Sequence, residues 1–377
     1  MKITRLEPIL AARSVYVRVH TDEGITGLGE AGFPQKGRTV ETAVGELERY
    51  LKGKDPLHIE HHWQSMYSIP FFRGGPVLSA AISAVDIALW DIAGKHFNTP
   101  VYGLLGGKCR DRVRVYVHIR GRNSEELAEK AVGAVKKGYT AVRFGPFLED
   151  FQKMRYGKLV GETVSQVKAV REAVGEEIDI CIDAHGRLTP YEAISIGREV
   201  EKYRIFFYED PILPENIEAM ADIVAHTNVP IATGERLFYI WQFWELLKNK
   251  AVHMARPDLC LAGGISQCKK IAALAEACYV KVVPHNPLSA VSTAACVQLD
   301  ACIPNFVLQE LILDDTYEAP PRHSLVKKPL EIEKGYIKVP TEPGIGIELD
   351  DAKISEYPFE ERDPPWLLRE DGSVADW

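Results

Sequence analysis

From residue 112 onward the chain alternates short apolar runs with segments whose apolar residues recur every three or four positions. Buried strands followed by amphipathic helices give that alternation. The runs RVRVYVHI (112–119), AVRFGPF (141–147), IDICIDA (178–184), IFFYED (205–210), VPIATGE (229–235), VHMARPDL (252–259), VKVVPHN (280–286) and FVLQEL (306–311) predict eight strands. Segments such as SEELAEKAVGAVKK, ETVSQVKAVREAVG, PYEAISIGREVEKY and SQCKKIAALAEACY predict the helices between them. Eight such units with no intervening block of strands predict an α/β fold built on a closed parallel barrel rather than an open doubly wound sheet. No glycine-rich phosphate fingerprint opens a helix after any strand, and GLLGGK at 103–108 reads as a turn. Ahead of the barrel, residues 1 to about 40 predict strands joined by turns, with TDEG as a hairpin signal, and a mostly helical stretch runs from there to about 105. After residue 311 the β-like pieces LEIEKGYIKVP and GIGIELD precede a proline-rich, charged tail, expected to pack back on the N-terminal segment.

At 377 residues, 46% of them apolar, the chain can bury a barrel of roughly 250 residues plus an addition. A net charge of −8, with no basic stripe and no aromatics interleaved with Lys/Arg runs, argues against a nucleic-acid partner. The N-terminus lacks a basic region followed by an apolar stretch, and nowhere do about 20 apolar residues run together, so a cytoplasmic protein without a membrane partner is expected. Seven cysteines form no CxxC pair and are expected to be free thiols, mostly buried. HIEHHW (58–63) puts His58, His61 and His62 on one helix face without a carboxylate or thiolate beside them, and reads as a polar helix face rather than a metal site.

Barrel enzymes build their sites at the C-terminal ends of the strands. Those ends are polar here: Asp183 and His185 on the third strand, Glu209 and Asp210 on the fourth, Glu235 on the fifth, Asp258 on the sixth, His285 on the seventh and Glu310 on the eighth. Strand side chains alternate faces, so Asp183 and His185 share a side. The acids at 183, 209 and 235 are each 26 residues apart, one strand-plus-helix unit per step. Three carboxylates at one mouth repel one another unless a hard cation neutralises them, and oxygen-only ligands favour Mg²⁺ over Zn²⁺. Asp258 beside His285 suits a general base whose tautomer is fixed by a carboxylate. His185 and His285 then flank a metal-held ligand, and Glu310 serves the substrate oxygen if its environment keeps it protonated.

These residues resemble the enolase superfamily, mandelate racemase subgroup, over essentially the whole chain. AISAVDIALWDIAGKHFNTPVYGLLGG (81–107) is similar to the N-terminal signature of that family, and GERL with ARPDLCLAGGISQCKKIAALAEA is similar to its second signature. DAHGR, VPHNPLSAVSTAACVQLDAC and the tail DPPWLLREDGSVADW are most similar to the galactonate-type acid-sugar dehydratases. The resemblance implies a modified TIM barrel, (β/α)7β, over 112–320, an α+β capping domain over 1–111, and a segment, 321–377, returning to the capping domain. It implies Mg²⁺ on Asp183, Glu209 and Glu235, with His285, backed by Asp258, removing the C2 proton of an aldonate such as galactonate. His185 protonates the departing C3 hydroxyl, Glu310 bonds the enediolate, and a 2-keto-3-deoxy acid results. Racemases and cycloisomerases of the superfamily resemble one another in a Lys-x-Lys at the second strand end, whereas this chain has Arg143 to Gly145. A different pair stands there in the galactonate dehydratases, which leaves the sugar open. Arg143 is expected at the substrate, with Asp210 behind Glu209. The loops AGFPQKGRT (31–39) and SIPFFRGGP (68–76) are expected to set specificity, with Phe71, Phe72 and Arg73 closing over the sugar tail. Even-numbered homo-oligomers are usual in the family. An epimerase or cycloisomerase on the same fold, or a catalytically idle binding protein, are the alternatives.

Overall fold

The computed structural model describes every residue except 147–150, 314–322, 362, 364–365 and 377. Phe147 of the second predicted strand and parts of the tail therefore lie outside the described residues. The chain opens with a three-stranded antiparallel sheet, β1 (Ile3–Ala11), β2 (Ser14–Thr21) and β3 (Thr26–Ala31). TDEG makes the β2–β3 turn, with Gly24 at φ +80°. Helices α1 (Gly37–Leu51), α2 (Ile59–Ser68), α3 (Pro76–His96) and α4 (Val101–Leu104) complete the capping domain. The alternating glycines of TGLGEA let α3 lie directly on β3, because a Cβ at Gly29 would meet the Ala84 carbonyl oxygen at 2.0 Å. Helix α3 is long and apolar enough to cross a membrane by length and composition, but 83% of that window is buried inside the protein.

Eight parallel strands come next: β4 (Arg112–His118), β5 (Ala141–Phe144), β6 (Asp179–Asp183), β7 (Phe207–Glu209), β8 (Ile231–Thr233), β9 (Met254–Ala255), β10 (Lys281–Val282) and β11 (Gln309–Leu311). Each pairs with its successor as far as β10, and β11 returns to pair with β4. The last gap is closed by a Val282–Phe306 bridge, with the Val307 N–H donating to the Val282 carbonyl at 3.1 Å. Seven helices fill the connections, α5 (Ser124–Lys136), α6 (Tyr156–Val174), α7 (Pro190–Val200), α8 (Ile217–His226), α9 (Tyr239–Lys248), α10 (Gly264–Ala277) and α11 (Ala290–Cys302). That is the expected (β/α)7β order. Tyr116, Ala141, Cys181, Phe207, Ala232, Met254, Val283 and Leu308, drawn from around all eight staves, pack as one buried cluster that fills the barrel.

Two buried carboxylates, Glu30 and Asp86, join the capping domain to the barrel. Glu30, at the end of β3, accepts hydrogen bonds from the Ser289 hydroxyl at 2.5 Å and the Ser292 N–H at 3.0 Å. Asp86 accepts from the Ser266 N–H at 3.0 Å and its hydroxyl at 2.6 Å. These sites are the first turns of α11 and α10, where unpaired N–H groups and the positive end of the helix dipole favour an anion. Asp91 accepts from the Leu28 and Ile345 N–H groups, and Lys95 pairs with it at 2.8 Å. Asp86, within the apolar run AISAVDIALWDIAGK, and Glu30 therefore clasp the two domains, and the clasped loops carry Asp258 and His285, whereas Asp91 ties α3 to β3 and to the C-terminal segment.

The C-terminal segment divides differently from expectation. LEIEKGYIKVP forms a hairpin, β12 (Ile332–Glu333) and β13 (Tyr336–Lys338), that pairs antiparallel with the start of barrel strand β4. Arg112 covers the Tyr336 ring at 4.2 Å and secures that edge. The return to the capping domain begins only beyond this hairpin. There the Val101 N–H donates to the Gly344 carbonyl, and residues 357–360 bond the backbone of Ala12, past α12 (Asp351–Glu356). HIEHHW also differs. His62 is buried, with its Nε2 on the Asp55 carbonyl at 2.7 Å and its Nδ1 on the Tyr50 hydroxyl at 3.1 Å. It is a packed core histidine, and Trp63 beside it is buried too, its indole N–H reaching the Gly263 carbonyl. All seven cysteines are free, and five are buried.

Candidate active site

The two-residue period of a strand makes a polar layer stand directly on the apolar plug. Tyr116 is succeeded by His118, Ala141 by Arg143, Cys181 by Asp183, Phe207 by Glu209, Met254 by Arg256, Val283 by His285 and Leu308 by Glu310. Parallel register brings the acids side by side: Asp183 is paired with Glu209, and Glu209 with Ala232, three residues before Glu235. Asp183 and Glu209 are completely buried.

Two guanidiniums share this carboxylate layer. Arg256, itself fully buried, is ion-paired with Glu209 at 2.7 Å and donates to Glu310 at 2.9 Å and to the Tyr116 hydroxyl at 2.9 Å. Arg143 is ion-paired with Asp183 and lies 3.5 Å from Glu209. It also sits 3.3 Å from His118 Nδ1 and 3.4 Å from His185 Nε2. The sequence puts Arg143 at the substrate; in the structure its guanidinium stands between two of the expected metal ligands.

Both imidazoles reach the layer from its flanks. His185, at φ +52° just past β6, donates its backbone N–H to Asp183 at 2.7 Å and brings Nε2 within 3.1 Å of the same carboxylate. Burial, with Arg143, Arg187 and Arg236 nearby, holds its pKa well below the usual histidine value. On the other side His285 Nδ1 bonds Asp258 at 2.8 Å and Nε2 lies 3.4 Å from Glu235. Against the cost of burial, the carboxylates of Glu235, Glu310 and Asp258 push its pKa up to about 10. While those charges stand uncompensated, His285 keeps its proton.

The condition attached to Glu310, that its surroundings keep it protonated, is not met. Its oxygens accept from His118 Nε2 at 2.7 Å, Arg256 at 2.9 Å and the Asn286 N–H at 2.8 Å. Although it is buried, His285, Arg256 and His118 hold its pKa well below the usual carboxylate range, so Glu310 is an ionised acceptor. Asp210, at φ +36°, is buried with its pKa raised to about 6 by burial and by Glu235. Phe71, Phe72 and Arg73 are not brought to the carboxylates: Phe71 and Phe72 are 88% and 85% exposed, and Arg73 lies over the Tyr67 ring with a bond to the Ser68 carbonyl. The other loop does reach the barrel, where the Gly32 N–H donates to the Cys260 carbonyl two residues past Asp258.

Among the described residues no three acid, imidazole or thiol groups form a finished metal cage. The donor set nevertheless fits a hard divalent cation. Asp183 Oδ2 and both Glu209 carboxylate oxygens are buried without a hydrogen-bond donor of suitable geometry. Burial, with the charges of Glu310 and Glu235, raises the Glu209 pKa to about 8 even with Arg256 and Arg143 beside it. The layer is short of positive charge, and the residues that would supply the ligands are Asp183, Glu209 and Glu235.

His118, Arg256, Arg187 and Arg236 are site residues that sequence reasoning misses. His118 and Arg256 obey the same strand-end parity as the acids; looking for ligands and bases alone passes over the cations that balance them. Arg187 and Arg236 stand inside DAHGR and GERL, beside candidate residues of the site.

Residues 4–106 match the mandelate racemase/muconate lactonizing enzyme N-terminal domain, and residues 126–353 match the enolase C-terminal domain-like family. Curated relatives include a D-galactonate dehydratase of Ralstonia pickettii, 39% identical over the full length of both chains, and one of Variovorax paradoxus, 38% identical over the same extent. Among solved structures, an enolase from Agrobacterium radiobacter, a proposed galactarate dehydratase with bound sodium and L-malate, superposes with a TM-score of 0.94 at 32% identity over all of both chains. A proposed dehydratase from Mesorhizobium loti gives 0.90 at 35% identity, covering 96% of this chain and 99% of its own.

Proposed function

Because the chain belongs to the enolase superfamily, in its mandelate racemase/muconate lactonizing enzyme group, we propose that it is a Mg²⁺-dependent acid-sugar dehydratase. The reaction removes the C2 proton and the C3 hydroxyl of an acid sugar of the galactonate type and yields a 2-keto-3-deoxy acid. One observation carries the reading: two imidazoles flank one buried carboxylate layer, His185 Nε2 at 3.1 Å from Asp183 and His285 Nε2 at 3.4 Å from Glu235. An elimination of water needs one group to take a proton and another to give one, and the two histidines sit in opposite electrostatic settings.

A Mg²⁺ ion held by Asp183, Glu209 and Glu235 would supply the positive charge that makes a weakly acidic α-proton removable. His285 takes the C2 proton on Nε2, while Asp258 accepts the Nδ1–H at 2.8 Å and fixes the tautomer that leaves Nε2 with a lone pair. His185 delivers a proton to the C3 hydroxyl as the C3–O bond breaks and water leaves; the resulting enol relaxes to the keto acid. The guanidiniums that discourage protonation of His185 are offset by an anionic substrate, which is the condition for it to act as the acid. Glu310, ionised, accepts a bond from a substrate hydroxyl and keeps Arg256 and His118 in place.

The test is a screen of C5 and C6 aldonates and diacids with Mg²⁺ for 2-keto-3-deoxy products. No product from any of them refutes the dehydratase reading. Deuterium exchange at C2 without loss of water transfers the assignment to an epimerase.

A further inference from the structure

Two of the seven cysteines lie side by side at the face of the barrel opposite the carboxylate layer, Cys109 just ahead of β4 and Cys302 ahead of β11. Cys109, on the link between α4 and β4, is exposed. Its N–H donates to the Ala301 carbonyl at 2.6 Å, and its thiol donates at 3.5 Å to the carbonyl of Cys302, the last residue of α11. With the N–H of one residue bonded to the carbonyl just before the other, fixed bond lengths leave their Cα atoms within the roughly 4.4 to 6.8 Å that a disulfide spans. Arg110 holds this alignment: its Nη1 donates to the Asp300 carbonyl and, at 2.8 Å, to the Ile303 carbonyl. Cys302 is 6% exposed, and Lys269 Nζ lies 3.7 Å from its Sγ. Burial raises the Cys302 thiol pKa, and the Lys269 ammonium works against that by favouring the thiolate. Cys181, Cys260, Cys268 and Cys296 are completely buried, and burial holds their thiols well above the usual cysteine pKa, so they stay protonated and closed to reagents.

We propose that Cys109 and Cys302 form a redox-modification site, at which a small-molecule disulfide of the glutathione type converts the two thiols into one intramolecular disulfide. Cys109, which the reagent meets first, attacks as its thiolate; the small disulfide bond breaks, a mixed disulfide forms on Cys109, and one small thiolate leaves. Cys302, as a thiolate beside Lys269, then attacks the Cys109 sulfur and expels the second small thiolate. Two protein thiols are oxidised, one small disulfide is reduced to two thiols, and the two protons pass from the cysteines to the leaving groups. The pair is built for this division of labour: one sulfur is in water, and the other is shielded from reagents but adjoins the first and an ammonium group. The new bond joins the link between the domains to the end of the last barrel helix. It constrains the unfolded chain across 193 positions, so oxidation stabilises the fold. Its formation does not depend on which reaction the barrel mouth performs.

The test equilibrates the folded, full-length protein with oxidised glutathione, quenches with acid, alkylates the remaining thiols with N-ethylmaleimide, and reads intact mass and peptide maps. Two of the seven thiols are expected to escape alkylation, with no glutathione attached and the peptides holding Cys109 and Cys302 joined; dithiothreitol restores all seven. Cys302→Ser, which cannot close the bond, should accumulate glutathione on Cys109, and Cys109→Ser should take up none. The oxidised parent is expected to melt about 3 to 5 °C above the reduced parent. Lys269→Met should slow closure about threefold to tenfold near neutral pH without changing the mapped pair. Seven alkylated thiols after oxidation, glutathione that persists on Cys109 of the parent, or a bond mapped to another pair overturns the site. An oxidised protein that melts with the reduced one overturns its bracing effect, and closure at the parent's rate in Lys269→Met overturns the part given to the ammonium.

Discussion

Replacing Asp258 by Asn changes one atom and tests the base assignment. Asp258 is 2% exposed; Oδ1 accepts the Cys260 N–H at 2.7 Å and Oδ2 accepts His285 Nδ1–H at 2.8 Å. An asparagine can keep the Cys260 bond through its oxygen, which turns its NH₂ toward Nδ1. Nδ1 then becomes an acceptor and the proton moves to Nε2, where the C2 proton should be received. Loss of negative charge also lowers the proton affinity of His285, while Glu235 and Glu310 continue to raise it, and the tautomer change adds to that effect. The expected loss in kcat is about 10³ to 10⁴, or roughly 4 to 5.5 kcal/mol of barrier. Keto-acid formation and C2 hydrogen exchange in D₂O, tracked by proton NMR, should fall together while the circular-dichroism melting temperature stays within a few degrees. Exchange within tenfold of the parent would refute His285 as an oriented base.

Arg143→Gln removes the guanidinium that now stands between Asp183 and Glu209, so the divalent cation meets one resident competitor fewer; Mn²⁺ titration by electron paramagnetic resonance should show affinity increased on the order of tenfold, and unchanged or weaker binding contradicts the placement of the cation. Asp86 has a pKa of about 7 in the folded protein against 3.8 ordinarily, chiefly through burial. A raised carboxyl pKa means the folded state binds the extra proton, so this contribution is complete below about pH 4 and is lost as pH rises through 7, at most about 4 kcal/mol. Asp86→Asn should flatten the fall in melting temperature between pH 4 and 7, and parallel curves for parent and variant would contradict it. Glu30→Ala leaves the buried Ser289 hydroxyl and Ser292 N–H unpaired; urea unfolding should lose roughly 2 to 3 kcal/mol, with kcat falling because Ser289 lies four residues past His285, and full activity at lowered stability would limit Glu30 to holding the fold together.

The barrel is legible in the sequence because its two periods are uninterrupted: apolar runs at a spacing of two, then helices whose apolar residues face the sheet. The 26-residue interval among Asp183, Glu209 and Glu235 carries the register of three adjacent strands directly into the chain. Asp258 and His285 are legible as neighbours for the same reason, and a backbone bridge links them. Compensation across distance is hidden from the sequence. Nothing local tells that Asp86 and Glu30 face helix termini some 180 and 260 positions away, or that Glu310 spends its lone pairs on His118, Arg256 and Asn286 and so stays ionised. The hairpin at 332–338 reads as β from its alternation, but its choice of β4 over the capping sheet depends on a barrel edge that exists only after folding. The glycines that follow Arg73, Gly74 and Gly75, make the freedom of that loop legible, but not the place where its side chains rest.

On the proposed mechanism His285 takes the C2 proton and His185 completes the loss of water, and hydrogen exchange separates the two steps. Purified His185→Asn and His285→Asn proteins, each given Mg²⁺ and a substrate in D₂O, should differ: the first washes deuterium into C2 without making keto acid, and the second does neither. Full keto-acid turnover by both variants, or exchange that survives in His285→Asn and vanishes in His185→Asn, would contradict the account.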